Sequence, residues 1–270
     1  MGNIEFSLNY INDEILKMNK TNDVYIKFPG RNPQIETLSK LVETDFNILL
    51  HGIVPSSGSL LDPSLCDGLK NYSKFIKQTN QKWLSFHSDY RKCFNNENYL
   101  ETVEKNVSII KNEFPNLEIL FENMPPEDII EDWSCTSKTF NEILNKFNFD
   151  MLLDVSHAII AAKKFNFSFE EFINQFDLSK VKEIHVSGVG KTSNGMLDDN
   201  HDKISHFVYK CLKIALKKCK NVKMITLEYA PVIEYKNNKE KVDKKIYKNQ
   251  QKMFKKIKEM YLKINKKENN

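Results

Sequence analysis

Short apolar runs alternate with longer stretches of helical periodicity from one end of the chain to the other. The runs cover 4–8, 24–28, 46–51, 82–87, 117–122, 150–154, 181–186 and 223–228. Near-continuous apolar sequence of that length is expected of strands buried on both faces. Between the runs, 99–113 (YLETVEKNVSIIKNE) and 201–219 carry apolar residues at three-and-four spacing, the pattern of a helix with one buried stripe. Val242, Ile246, Met253, Ile257, Met260 and Ile264 continue that spacing and predict a C-terminal amphipathic helix over about 239–265. Eight β units, each followed by a helical unit in one unbroken series, predict an α/β fold of the (β/α)8 TIM-barrel type. A doubly wound open sheet is the alternative, but it usually carries a Gly-rich phosphate loop after an early strand, and none is present. GVGKTSNG, around Lys191, follows the seventh run with the wrong glycine spacing for a Walker motif.

Composition narrows the picture. With 270 residues, 40% hydrophobic and 28% charged, the chain suits a single domain over 1–270 and is too apolar to be disordered. No apolar run is long enough for a membrane helix, and MGNIEFSLNY has no charged-then-apolar signal. Cys66, Cys93, Cys135, Cys211 and Cys219 form an odd set with no CxxC pair, which argues against a disulfide framework or a thiolate zinc site. A reduced cytoplasm is the expectation.

The net charge of +4 divides unevenly. From Lys236 onward thirteen lysines face Glu240, Asp243, Glu259 and Glu268, a balance of +9, so the rest carries −5. A mildly acidic body with two arginines, Arg31 and Arg91, is a poor match for a surface that grips phosphates, and nucleic acid is not expected as a partner.

The candidate chemistry lies in the histidines. His51, His87 and His185 stand at or near the C-terminal ends of predicted strands three, four and seven. Glu122, Asp154 and Glu228 hold the same place on strands five, six and eight. His157 follows Asp154 by three residues in LLDVSH, and Asp199 and His201 lie in LDDNHD after strand seven. In a barrel all these strand ends open into one mouth, where the βα loops build the active site. Taken singly, a histidine at a strand end is ordinarily a hydrogen-bonded core or rim residue. Taken together, five histidines and four carboxylates without a neighbouring cation in sequence would be costly unless a cation bound among them. His206 falls inside the predicted seventh helix and is assigned a surface or packing role.

Imidazole and carboxylate without thiolate suit zinc, iron or manganese. Nine donors exceed what one tetrahedral zinc or one 2-His-1-carboxylate iron uses. Two divalent ions would balance four carboxylates; three would leave an excess that favours a bound hydroxide or an anionic substrate group. Arg91, four residues after His87, could clamp a substrate carboxylate or phosphate, with an exposed salt bridge as the ordinary alternative. Asn123 could orient Glu122 or touch substrate, or simply cap a loop.

The pieces LLHG, LSFH, LFEN, DVSH, IHVSG, DDNH and TLEY resemble the trinuclear site of endonuclease IV and the wider xylose-isomerase-like barrels. HGIVPSSGSL, LLDVSHAIIAA, VKEIHVSG and GMLDDNHD more closely resemble the multinuclear non-heme iron-dependent oxidative enzymes, from about His51 to Glu228. That resemblance implies two or three iron ions that activate O2 and a peptide or small thiol substrate, as in peptide natural-product modification. It also implies a partner protein that presents the peptide. On this reading Glu122 bridges metals and, with His157 and Arg91, belongs to the catalytic set. His51 and His87 hold one metal, Asp154, His185 and Glu228 another, and His157, Asp199 and His201 a third. One departure is His157, where many members carry asparagine. The competing readings are a zinc-dependent endonuclease IV-like phosphodiesterase, a sugar isomerase or epimerase with one divalent metal, and a non-enzymatic metal-binding scaffold.

Overall fold

Every run predicted as a strand forms one. In chain order these are β1 (Glu5–Asn9), β2 (Tyr25–Pro29), β3 (Asn47–His51), β4 (Trp83–His87), β5 (Glu118–Glu122), β6 (Asp150–Asp154), β7 (Val181–Val186) and, last, β10 (Met224–Leu227). They pair in parallel and close into a barrel, with β1 seated between β10 and β2. The chain is described by a computed structural model over residues 4–19, 24–30, 35–54, 58–62, 64–88, 99–126, 137–232 and 238–268. The helices that wrap the barrel are α1 (Asp13–Met18), α2 (Ile35–Leu41), α3 (Leu65–Thr79), α4 (Tyr99–Glu113), α5 (Ser137–Lys146), α6 (Val155–Lys164), α7 (Phe169–Ile173), α8 (His206–Lys218) and α9 (Lys239–Glu268). This is the (β/α)8 architecture that the alternation predicts. No helix among the described residues is long and apolar enough to cross a membrane.

One segment departs from the expectation. The periodicity predicts helix from residue 201, but 197–202 form a strand, β9 (Leu197–Asp202), that pairs antiparallel with β8 (Gly188–Lys191). The hairpin follows the seventh barrel strand directly. Its side chains alternate between half-buried and exposed, so one edge of a polar sequence turns inward. The helix starts only after Ser205, whose hydroxyl accepts from Val208 N–H and caps the first turn.

Strand side chains alternate between the barrel interior and the surrounding helices. Inside, Leu49, Trp83, Leu120, Leu152 and Met224 pack against Tyr25 as a small core of their own. Two residues further along the same strands stand His51, Ser85, Glu122, Asp154 and Thr226. A largely apolar floor, crossed by the buried Lys27 and Glu183 side chains, therefore underlies the polar mouth. Outside, a larger core joins strands to helices. Phe121 faces it from β5 and stacks on Phe140 of α5, ring centroids 5.0 Å apart. Phe121→Ala is expected to cost about 3–5 kcal/mol of stability in denaturant unfolding, with the donors of the mouth unchanged in sequence.

The last helix closes the cylinder. Ile246, Met253, Phe254, Ile257 and Ile264 are buried, as their spacing requires, while most lysines between them are exposed and Lys258 lies over the Phe6 and Phe254 rings. Asn12 Nδ2 donates to Asp243 and Asn19 Nδ2 donates to Gln250, tying α9 to α1.

Candidate metal centre

Glu122 stands in the middle of the mouth with a histidine on every side. Its Oε1 lies 3.5 Å from His157 Nδ1 and 3.6 Å from His185 Nδ1. Its Oε2 lies 3.4 Å from His51 Nε2 and 3.7 Å from His87 Nε2. Three groups of donors share one small volume: His51, His87 and Glu122; Glu122, Asp154 and His185; and Asp154, His157 and Asp199. Glu122 belongs to the first two and Asp154 to the last two, so carboxylates link neighbouring groups. Glu228 joins through His185 Nδ1, 3.1 Å from its Oε1, and His201 joins through Asp199 Oδ2, 3.4 Å from its Nε2. All nine predicted donors thus converge. Arg91 lies outside the described residues.

Local chain geometry explains the convergence. Asp154 ends β6 and is also the N-cap of α6; its Oδ1 accepts from His157 N–H at 2.7 Å. The three-residue spacing of DVSH is a capping turn, which spends one carboxylate oxygen on the backbone and leaves the other facing the cavity. Asn123 clamps this turn from β5: its Oδ1 accepts from Asp154 N–H, and its Nδ2 donates to Asp154 O. Asn123 therefore positions Asp154 rather than Glu122. Gly52 and Gly58 shape the loop after β3. Both have positive φ, and a Cβ on Gly58 would come within 3.1 Å of the His87 ring. Just before the hairpin, Ser187 Oγ donates to Asp199 Oδ1 of β9, and on that strand His201 sits in the left-handed region at φ 48°. Ala230 N–H donates to the His201 carbonyl and holds that strained residue in place.

Three histidines turn one ring nitrogen to the cavity and have the other engaged by protein. His51 pairs Nδ1 with Ser85 Oγ at 2.8 Å, and His157 donates from Nδ1 to the Asn123 carbonyl at 2.8 Å. His185 sets Nε2 against Glu183 and Lys27. Such partners fix ring orientation and tautomer. Ser85, Ser187, Lys27 and Glu183 escaped the sequence reading as site residues. For Lys27 and Glu183 a signal existed: each is a charged residue at an inward position of an apolar strand.

The charges respond to one another strongly. Burial and the nearby Lys27 charge push His51 well below the usual imidazole range. Burial also opposes charge on His157, but Asp154, Asp199 and Glu122 outweigh it and hold that ring well above the range. His185 is raised likewise against its burial, chiefly by Glu228 and Glu122. Burial lifts the Asp154 carboxyl to about 6, with Asp199, Glu122 and Glu228 adding repulsion. Burial opposes charge on Glu122 as well, yet His185, His51 and His87 keep it ionised.

The donor set fits metal ions. Glu122 Oε2, Asp154 Oδ2, His185 Nδ1 and His201 Nδ1 are buried polar atoms with no hydrogen-bond partner. Orphaned buried groups are costly, and here four belong to one cluster of ligand-type side chains. His51 Nε2 and His87 Nε2 approach to 2.9 Å. Two nitrogens each about 2.1 Å from one ion, at a right angle, would stand about 3 Å apart. The cavity above them measures about 500 Å³ and adds an apolar wall of Met124, Pro125, Pro126, Ile160 and Leu197.

Comparison with known proteins places this geometry. The chain matches the description "RiPP precursor modification enzyme MbnB/TglH/ChrH" over residues 21–244. It is 23% identical over 206 residues to the UPF0276 protein RB0508 of Rhizobium meliloti (strain 1021), covering 69% of this chain and 65% of that relative. Among solved structures it is similar to a D-tagatose 3-epimerase-like protein, with a TM-score of 0.65, 16% identity, and 96% and 99% of the two chains covered. It is also similar to endonuclease IV from Thermus thermophilus, with a TM-score of 0.55, 12% identity, and 94% and 99% covered. These two likenesses show the fold, a closed (β/α)8 barrel. Because the family match spans most of the chain, the chain belongs to the MbnB/TglH/ChrH family of RiPP precursor modification enzymes.

Proposed function

We propose that this chain is an iron-dependent oxidative enzyme that modifies a peptide at a thiol-bearing residue, using O2. The observation that carries the reading is the set of four orphaned donor atoms at a mouth where nine ligand-type side chains meet. His51 and His87 would hold one ion with Glu122. Asp154, His185 and Glu228 would hold a second, shared with Glu122. His157, Asp199 and His201 would complete a third. Iron held by these residues would supply the redox chemistry that an oxidation by O2 needs.

The chain's own residues do the rest. Glu122, held by the end of β5, and Asp154, held by its capping turn, would each serve two neighbouring donor groups. Leu49, Trp83, Leu120, Leu152 and Met224 form a largely apolar floor, which strengthens every charge interaction above them. The cavity is large enough for one side chain and its flanking backbone, and its apolar wall suits a peptide segment. The enzyme acts with a partner that presents the peptide, and iron rather than zinc or manganese is the resident metal.

A zinc-dependent phosphodiesterase would use a similar donor set. Against it, the one lysine or arginine among the described lining residues is Lys27, and that side chain is already engaged by Glu183. The test is anaerobic iron loading, followed by addition of O2 and a cysteine-containing precursor peptide. The expected result is O2 uptake with a change in peptide mass. Incision of an abasic-site oligonucleotide by the zinc-loaded chain, with no O2 uptake, would replace this reading.

A further inference from the structure

A buried charged pair stands at the base of the mouth, one residue pair below the ligands, with Lys27 reaching the cavity wall. Lys27 on β2 is 2% exposed and Glu183 on β7 is fully buried. Two barrel strands separate β2 from β7, so the pair reaches across the interior. Lys27 Nζ donates to Glu183 Oε1 at 2.6 Å. The same oxygen lies 3.0 Å from His185 Nε2, and Lys27 Nζ lies 2.6 Å from that nitrogen. Thr226 Oγ1 donates to Glu183 Oε1 at 2.7 Å, and Trp83 Nε1 donates to Oε2 at 3.1 Å. Glu183 is thus fixed from three strands besides its own. The opposite ring nitrogen, His185 Nδ1, is one of the orphaned atoms and faces Glu122 and Glu228.

This arrangement differs from those behind the other two tethered histidines. His51 leans on a hydroxyl and His157 on a backbone carbonyl, both neutral. His185 alone among the three has an ionised carboxylate behind it, one that Lys27 compensates. A buried ion pair does not in general stabilise a fold more than apolar residues of the same size would. Its value here lies in orientation and charge together: a carboxylate acceptor at Nε2 turns Nδ1 toward Glu122 and Glu228, and its negative charge makes that nitrogen a stronger ligand.

We propose that Lys27 and Glu183 are a positioning pair that holds His185 with Nδ1 toward the cavity and so sets the affinity for the ion shared by Asp154, His185 and Glu228. The proposal rests on the multinuclear metal reading. It assigns the pair no contact with substrate.

The test uses two double variants of the full chain, K27M/E183Q and K27M/E183M. The first removes both charges and keeps an acceptor at position 183; the second removes the acceptor as well. Zinc ion is titrated into each metal-free protein against a chromophoric chelator, and thermal unfolding of the metal-free forms is recorded in parallel. The glutamine pair is expected to bind one ion about tenfold more weakly and the methionine pair about a hundredfold more weakly. The remaining ions should bind as in the unaltered chain, and the metal-free glutamine pair should melt with the unaltered chain. Unchanged affinity for every ion in the glutamine pair overturns the proposal, whether or not the methionine pair folds. Equal weakening of every ion overturns it too, because the pair would then act on the whole mouth. An unaltered chain that binds no ion overturns the metal reading itself and this inference with it.

Discussion

Replacing Glu122 with alanine is expected to reduce the metal content of the chain to about one ion or fewer. Both oxygens of this carboxylate face histidines, with Oε1 toward His157 and His185 and Oε2 toward His51 and His87. It is buried, ionised and central, so its loss removes a ligand from two donor groups at once. The histidines that remain would crowd around a cavity without the anion that balances them. Oxidative activity should fall by about a hundredfold or more, since even partners behind a ligand are worth about 10–100-fold. Glu122→Gln should be milder in metal content, because one oxygen remains and only one side of the bridge is lost. Elemental analysis of the two variants beside the unaltered chain makes the measurement. Full metal content in Glu122→Ala would remove Glu122 from the ligand set.

Metal binding is expected to release about two protons per chain near neutral pH, and to weaken steeply as pH falls. His157 and His185 are held well above the usual imidazole range by the carboxylates around them, so both carry a proton in the metal-free mouth. An incoming ion must displace those protons. His51 is already neutral and contributes none. Below about 6 Asp154 also takes up a proton and adds a third. The sign for the metal-free fold is the reverse. Raised histidine values stabilise it fully below the ordinary 6.5, and that stabilisation is lost as pH rises through the raised values. The protonation of Asp154 favours the metal-free fold in the same direction, since its carboxyl is raised from 3.8. The rise in melting temperature on adding metal should therefore be small at about pH 6 and large at about pH 8.5. Calorimetric titration in buffers of different ionisation enthalpy counts the protons. A metal-induced shift that does not change with pH would contradict this charge balance.

The mouth was legible in the sequence because barrel strands are short, buried and regular. Once each run is placed, its C-terminal residue is placed: His51, His87, Glu122 and Asp154 end their strands, and His185 lies one residue before the end of β7. Glu228 lies one residue past β10, where its N–H donates to Val186 O and continues the sheet pattern. The hairpin was not legible. LDDNHD has no apolar alternation, and 197–202 become a strand only by pairing with 188–191, a tertiary outcome that local propensity does not encode. His201 was still found, because its chemistry rather than its element singled it out. The residues that brace the ligands were hardest to see. A serine such as Ser85 or Ser187 in a strand has no distinctive pattern, and Asn123 revealed its role only when its amide met the Asp154 backbone. Lys27 and Glu183 could have been found, since a charge at an inward parity demands a partner across the barrel.

The central claim is that the mouth holds several metal ions at once. Elemental analysis per chain tests it most directly, on protein purified without oxygen or chelator from medium that supplies both iron and zinc. Nine donors with bridging carboxylates predict two or three ions per chain, and the oxidative reading predicts that they are iron. Less than one ion of any metal per chain would contradict the account.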